Sequence, residues 1–181
     1  MKSLALAAAL FAAALLPAQA QTADDPANTL VMETPHGEVV IALRPDIAPA
    51  HAERLVTLTR EGFYDGVPFH RVIPGFMAQT GDPTGTGMGG SELPDLQAEF
   101  SSEPFTRGSV GMARAQNPNS ANSQFFIVYD RANWLDNEYT LIGEVVSGME
   151  AIDQIAPGAG QSGMVENPDR IESMRVLADT Q

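Results

Sequence analysis

The chain contains no cysteine. A disulfide frame, a thiolate nucleophile and a cysteine-ligated metal are therefore excluded. Lysine is almost as scarce, with Lys2 the only one among 181 residues. The remaining cations are nine arginines, set against 23 acidic residues. So acidic a chain is a poor partner for nucleic acid or an anionic membrane surface, and its charge serves solubility instead. With so few cations, each arginine calls for a specific reason. Histidine occurs three times, at His36, His51 and His70. These are scattered rather than clustered at metal-ligand spacing, and no metal site is expected. His36 in a turn and His51 near a helix start read as plain surface residues. No GxSxG is present, so a serine hydrolase would lack its nucleophile motif. Internal repeats and interdomain linkers are also lacking, and one domain fits the length.

Long apolar runs are missing except at the start. Lys2 is followed by an apolar stretch from Leu4 to Leu16, then Pro17 and the small-x-small triplet Ala18-Gln19-Ala20. This pattern predicts a secretory signal peptide over residues 1–20, cut after Ala20. The run is shorter than the roughly 20 residues that span a bilayer. No cysteine follows it for lipid attachment, and no twin-arginine pair precedes it, which favours the general secretion route. Residues 21–28 read as a flexible leader and residues 29–179 as the folded domain. Export of this kind suggests the periplasm of a double-membraned bacterium, with full secretion as the other destination.

The folded part alternates short apolar runs with turn residues. Leu30–Thr34 and Glu38–Leu43 flank Pro35-His36-Gly37 as a hairpin. Pro49 opens a helix whose stripe is Ala52, Leu55, Val56 and Thr59, with Glu53, Arg54 and Arg60 off it, and Gly62 stops it. Further strands are expected at Phe69–Val72, Phe76–Thr80, Ser109–Ala113, Ser123–Tyr129, Thr140–Val146 and Arg170–Leu177, with a short helix at Met149–Ile155. Eight short strands and two helices suggest an antiparallel barrel or sandwich with helices over its open ends. Gly85-Thr86-Gly87-Met88-Gly89-Gly90 matches GxGxxG, but Pro94 follows too soon for a helix and no βαβ unit surrounds it. It reads as a flexible surface loop, not a nucleotide site.

One run stands apart: Phe69-His70-Arg71-Val72-Ile73-Pro74-Gly75-Phe76-Met77. In a strand, Phe69 and Arg71 share a face and His70 takes the other. An arginine drawn toward apolar company is costly unless it is hydrogen-bonded or faces a ligand. The bland alternative is an arginine that bends to solvent. Phe125 and Phe126 alternate in direction, so one suits the core and the other a pocket.

The run Phe69–Met77 with Gln79 resembles the core motif of the cyclophilin family of peptidyl-prolyl isomerases. Gly81–Gly87, Met112-Ala113-Arg114-Ala115, Asn119–Ile127, Asn133-Trp134-Leu135-Asp136 and Gly143–Met149 are similar to the bacterial forms, in the same order. The resemblance spans about residues 29 to 178. It implies a mainly β fold, a closed eight-stranded antiparallel barrel capped by two α-helices. It implies that Arg71 is catalytic. Phe76, Met77, Phe126 and Leu135 would line a proline pocket, with Trp134 on its rim. Gln79, Gln124 and the segment Ala113-Arg114-Ala115 would hold the peptide backbone, Arg114 largely through its main chain. Tyr139 stands where many eukaryotic members have a pocket histidine.

The implied activity is isomerisation of X-Pro bonds in folding exported polypeptides, with the cyclic peptide cyclosporin as an implied ligand through Trp134; a monomer is the default expectation. No σ bond breaks in that reaction, so no cofactor or metal is expected. The alternative is a proline-peptide binding module or chaperone with little catalysis.

Overall fold

The structure is a computed structural model that describes residues 25–180. The expected signal peptide and the first four residues of the leader lie outside the described residues. The hairpin forms as β1 (Thr29–Thr34) and β2 (Gly37–Leu43), paired from Thr29 opposite Ala42 to Thr34 opposite Gly37. Helix α1 (Pro49–Arg60) follows. Then come β3 (Arg71–Ile73), β4 (Met77–Thr80), β5 (Ser109–Met112), β6 (Phe125–Val128), β7 (Leu141–Ser147), the short α2 (Met149–Ile152) and β8 (Ser173–Val176).

Helix α1 begins without a side-chain cap at Ala48. The proline at its first position needs no N–H partner there. The next two amides, Ala50 N and His51 N, donate to the carboxylate of Glu99 at 3.2 and 3.1 Å. A distant loop therefore supplies the cap that the local sequence lacks. At the other end Gly62 takes φ +70°, and Gly62 N and Phe63 N bond back to Thr59 and Leu58 carbonyls at 3.0 Å each. That is a Schellman ending, which favours glycine.

The eight strands form one antiparallel sheet in the order β3-β4-β6-β5-β7-β2-β1-β8. The expected closed barrel is not what forms. The sheet curls strongly but stays open, because its edge strands β3 and β8 do not pair with each other. Between them, residues 66–72 and 163–171 run side by side, joined by single bridges at Pro68–Arg170 and Arg71–Met164. Phe69 N and Ile171 N bond to Asp169 O and Val67 O, but the register then slips before Val72 N and Val165 N bond to Gly163 O and His70 O, so no continuous ladder builds across the seam. The strand pattern carries no information on this point, since period-two alternation is the same in an open and a closed sheet. The second helix is also shorter than expected, ending at Ile152.

Side chains on the sheet's two faces build two separate cores. The larger lies inside the curl and joins Leu30, Ile41, Leu55, Phe69, Val72, Phe125, Ile127, Ile142 and Met174, with Ile152 from α2. The smaller lies on the opposite face and joins Met77, Phe105, Phe126, Val128, Ala132, Leu135 and Leu141. Burial of each such side chain stabilises the fold by about 1.5–3 kcal/mol before the entropy cost of ordering it. Phe125 and Phe126 part company as their alternation requires, Phe125 to the inner core and Phe126 to the outer cluster.

Candidate functional site

The second, smaller core is incomplete at one edge, and the gap is the candidate site. A hollow of about 280 Å³ opens there, lined by Arg71, Phe76, Met77, Gln79, Ala113, Arg114, Phe126, Trp134, Leu135 and Tyr139. The register of three strands explains the assembly. Arg71 pairs with Gln79 across β3 and β4, and Gln79 pairs with Phe126 across β4 and β6. Directly paired residues share a face, so the guanidinium, the amide and the phenyl ring stand in a row. The floor is apolar: Met77, Phe126 and Leu135 are almost wholly buried. Phe76 and the exposed Trp134 form one rim with ring centroids 5.3 Å apart. Tyr139 meets Phe126 edge-on at 5.8 Å on the other side.

Phe69 and Arg71 do not share a face, as simple alternation suggested. The strand starts only at Arg71, and Phe69 lies before it in the inner core. Arg71 nevertheless reaches apolar company, through the outer cluster on the opposite face. Its Nε donates to the Ser162 carbonyl at 2.9 Å and its Nη1 to Gln79 Oε1 at 3.2 Å. Gln79 Nε2 donates in turn to Gln124 Oε1 at 2.9 Å, and Gln124 Nε2 to the carbonyls of Gly87 and Gly89 at 3.1 and 2.8 Å. A chain of side-chain amides thus links the guanidinium to the glycine loop.

Beside the hollow runs a larger trough of about 440 Å³. Gln79, Ala113 and Arg114 border both, while Ala115 and Gln124 border only the trough, with Gly87–Ser91, Asp95, Ser120 and Asn122. Every residue implied for the site therefore lies on one of two adjoining cavities. Arg114's side chain is occupied internally. Its guanidinium lies 4.5 Å from the centre of the Tyr139 ring and donates to the carbonyls of Ala115 and Glu138 at 3.0 Å each.

The glycine loop is not a free surface segment. It folds around Asp82, which is fully buried. Asp82 accepts hydrogen bonds from Thr84 N and Oγ1 at 2.8 and 2.7 Å and from Gly87 N and Gly89 N at 2.7 and 3.1 Å. Burial alone would raise its pKa, but the bonds from Thr84, Gly89 and Gly87 outweigh that and hold the carboxyl down at about 2. Asn122 pins the loop's far end, accepting from Ser91 N and Oγ and donating to Leu93 O and Asp95 Oδ1. Arg54 is buried rather than off the helix stripe, and donates to the carbonyls of Asn122 and Pro94 at 3.1 and 2.7 Å. His51 is no surface residue either: it is fully buried, with Nδ1 2.6 Å from Glu99 Oε2.

A family model described as cyclophilin type peptidyl-prolyl cis-trans isomerase/CLD matches residues 29–176. The chain belongs to that family. This cyclophilin is 53% identical over 189 aligned residues to a probable peptidyl-prolyl cis-trans isomerase of Brucella suis, covering 97% of this chain and 96% of the relative. It is also similar to the crystal structure of cyclophilin AquaCyp293 from Hirschia baltica, at TM-score 0.77 and 29% identity over 86% of this chain and 76% of that one. A Cryptosporidium parvum cyclophilin type peptidyl-prolyl cis-trans isomerase, in the presence of dipeptide ala-pro, matches at TM-score 0.75 and 28% identity, over 82% of this chain and 98% of that one.

Asp82, Arg54, Asn122 and Ser162 are what the sequence reading of the site missed. Asp82 had one available signal: an acid just inside a glycine-rich run with hydroxyls at i+2 and i+4 is a turn organiser. Its depressed pKa has a direct consequence for stability. The ionised form is favoured in the fold by about 2 kcal/mol, fully present above the unfolded pKa near 4 and lost as pH falls toward 2. Asp82→Asn should be less stable by about 2 kcal/mol at neutral pH and should lose less than the parent between about pH 4 and 2. Urea unfolding at both ends of that window checks it, and parallel pH profiles would contradict the assignment.

Proposed function

We propose that this cyclophilin is a peptidyl-prolyl cis-trans isomerase acting on X-Pro bonds of exported polypeptides, with Arg71 as its catalytic residue. The observation that carries the reading is a guanidinium fixed at two points on the wall of an apolar hollow. Phe76, Met77, Phe126 and Leu135 hold the proline ring, and Trp134 and Tyr139 flank it. Gln79, Gln124 and the Ala113-Arg114-Ala115 backbone hold the peptide along the trough.

The reaction is rotation about a bond with a barrier of about 18–20 kcal/mol, which takes about tens to hundreds of seconds unaided. Twisting the amide ends its conjugation and localises a lone pair on the proline nitrogen. A donor placed at that nitrogen stabilises the twisted form more than the planar one, which is the requirement for catalysis. A guanidinium has five N–H groups and stays charged across the physiological range. Two of Arg71's are committed to Ser162 and Gln79, and the rest remain for the substrate. The apolar floor keeps water away, which strengthens that donation and disfavours the charge-separated planar amide. Four to five decades of rate need about 5.5–7 kcal/mol. One preorganised donor supplies about 3–4 kcal/mol and distortion with desolvation about 1–5, so the two suffice.

Export is part of the proposal. Residues 1–20 have the charge, apolar run and cleavage triplet of a signal peptide, and cleavage after Ala20 would release the mature chain to the periplasm. We take the chain as a monomer. Trp134, exposed on the rim, supports cyclosporin as a ligand.

In a coupled proline-isomerisation assay, Arg71→Ala should lose about two to three decades of kcat/KM while circular dichroism and X-Pro peptide affinity stay close to the parent's. Near-normal turnover would refute the catalytic assignment. Peptide binding without turnover in the parent itself would favour the binding-module reading. Calorimetry should register cyclosporin binding that Trp134→Ala weakens; a folded parent with no heat of binding refutes that ligand. Native mass spectrometry of a periplasmic extract should give one copy beginning at Gln21, and an uncut or dimeric mass would count against export or the monomer.

A further inference from the structure

We propose that the backbone carbonyl of Ser162 is a positioning group for the isomerase reaction, and that the loop carrying it exists in its observed form to aim Arg71. The inference rests on the reading of Arg71 as the catalytic residue and adds what sets its direction. A guanidinium on a three-carbon stem has several rotamers of similar energy. One contact, to Gln79, would leave it free to pivot about that bond. The second, from Nε to Ser162 O at 2.9 Å, lies at the inner end of the guanidinium and fixes the plane.

The loop is held against β3 by backbone bonds on either side of Arg71, with Val165 packed on the inner core. Val72 N donates to Gly163 O at 2.7 Å, Gly158 N donates to Val72 O at 2.9 Å, and Val165 N donates to His70 O at 3.0 Å. These bonds flank Arg71 on both sides, so the Ser162 carbonyl moves with the loop as a unit. Gly163 makes the close approach possible. It has φ +70°, and a Cβ there would stand 2.5 Å from Ile73 Cγ1 and 3.1 Å from Val72 O. An alanine at 163 would take an unfavourable φ and displace either the Ile73 side chain or the loop itself, and a lift of the loop off β3 carries the acceptor away from Nε. The hollow itself has no lining residue in this loop, so substrate binding does not depend on it. Misplacement of a catalytic group by about 1 Å costs up to about a hundredfold in rate.

The test is a double-mutant cycle in turnover and peptide affinity, run on the full mature chain. Gly163→Ala should lower kcat about tenfold or more, with peptide Kd within about twofold of the parent. In an Arg71→Ala background the same substitution should have no further effect on kcat, because there is no guanidinium left to aim. An equal loss in both backgrounds, or no loss in the parent, overturns the proposal and leaves the role of Arg71 standing. Full turnover by Arg71→Ala alone removes that role and the proposal with it. One measurement needs no variant. By NMR, the Arg71 Nε–H of the parent should exchange with water about tenfold or more slowly than that of Arg170, whose bond to the Gly66 carbonyl is made through Nη1. Exchange as fast as at Arg170 overturns the proposal even if Gly163→Ala does not fold.

Discussion

The pairing of β3 with β4 sets Arg71 opposite Gln79, and the rest of the site depends on that register. A slip of one residue would send the guanidinium into the inner core and bring Val72 out. The register is protected from both sides. Val72 is buried among the inner core residues, and Met77 is buried in the outer cluster. The same alternation that builds two cores therefore places one charged side chain at the edge of the second. The hollow is the part of that second core left without a protein side chain to fill it, shaped by rings that are already packed on their other sides.

Polar groups then do the fine placement, through contacts made within the chain. The amides of Gln79 and Gln124 pass hydrogen bonds from Arg71 to the glycine loop, and Asp82 organises that loop by taking its amides. Linked amides of this kind give mutually supporting orientations at little electrostatic cost, because the two glutamine side chains are themselves uncharged. The acidic composition fits the same logic. Several arginines outside the site are tied to carboxylates, as in Arg44 with Asp46, Arg107 with Asp153 and Arg175 with Asp65. Arg71 makes its contacts to a carbonyl and an amide instead, and among the described residues no carboxylate pairs with it.

Local pattern was legible where the physics is local. The hairpin, the helix that Gly62 ends and the split between Phe125 and Phe126 all follow from spacing and turn residues. The twelve residues implied for the site, all of which line the two cavities, are singled out only by the resemblance to a family, because Gln79, Ala113 and Leu135 carry no chemical signature of their own. Closure of the sheet is not legible in the strand pattern because it depends on whether β3 and β8 meet, and the register slips between the bridges Pro68–Arg170 and Arg71–Met164. His51 and Arg54 were misplaced because their partners, Glu99, Pro94 and Asn122, are 40 or more residues away. A helix wheel assigns faces, but it cannot see a loop that folds back to cover one. The Ser162 contact is invisible for the same reason, since a backbone carbonyl looks alike in every residue.

On this reading the chain speeds rotation within the bound complex, through donation from Arg71 beside an apolar hollow, and does more than hold proline. Exchange spectroscopy on an X-Pro peptide at saturation isolates that step, since it reads cis–trans interconversion of bound peptide apart from association. The account predicts interconversion on the millisecond scale in the parent and about a hundredfold slower exchange when the guanidinium is removed, with both bound isomers still populated. Equal on-enzyme exchange rates with and without the guanidinium would contradict it.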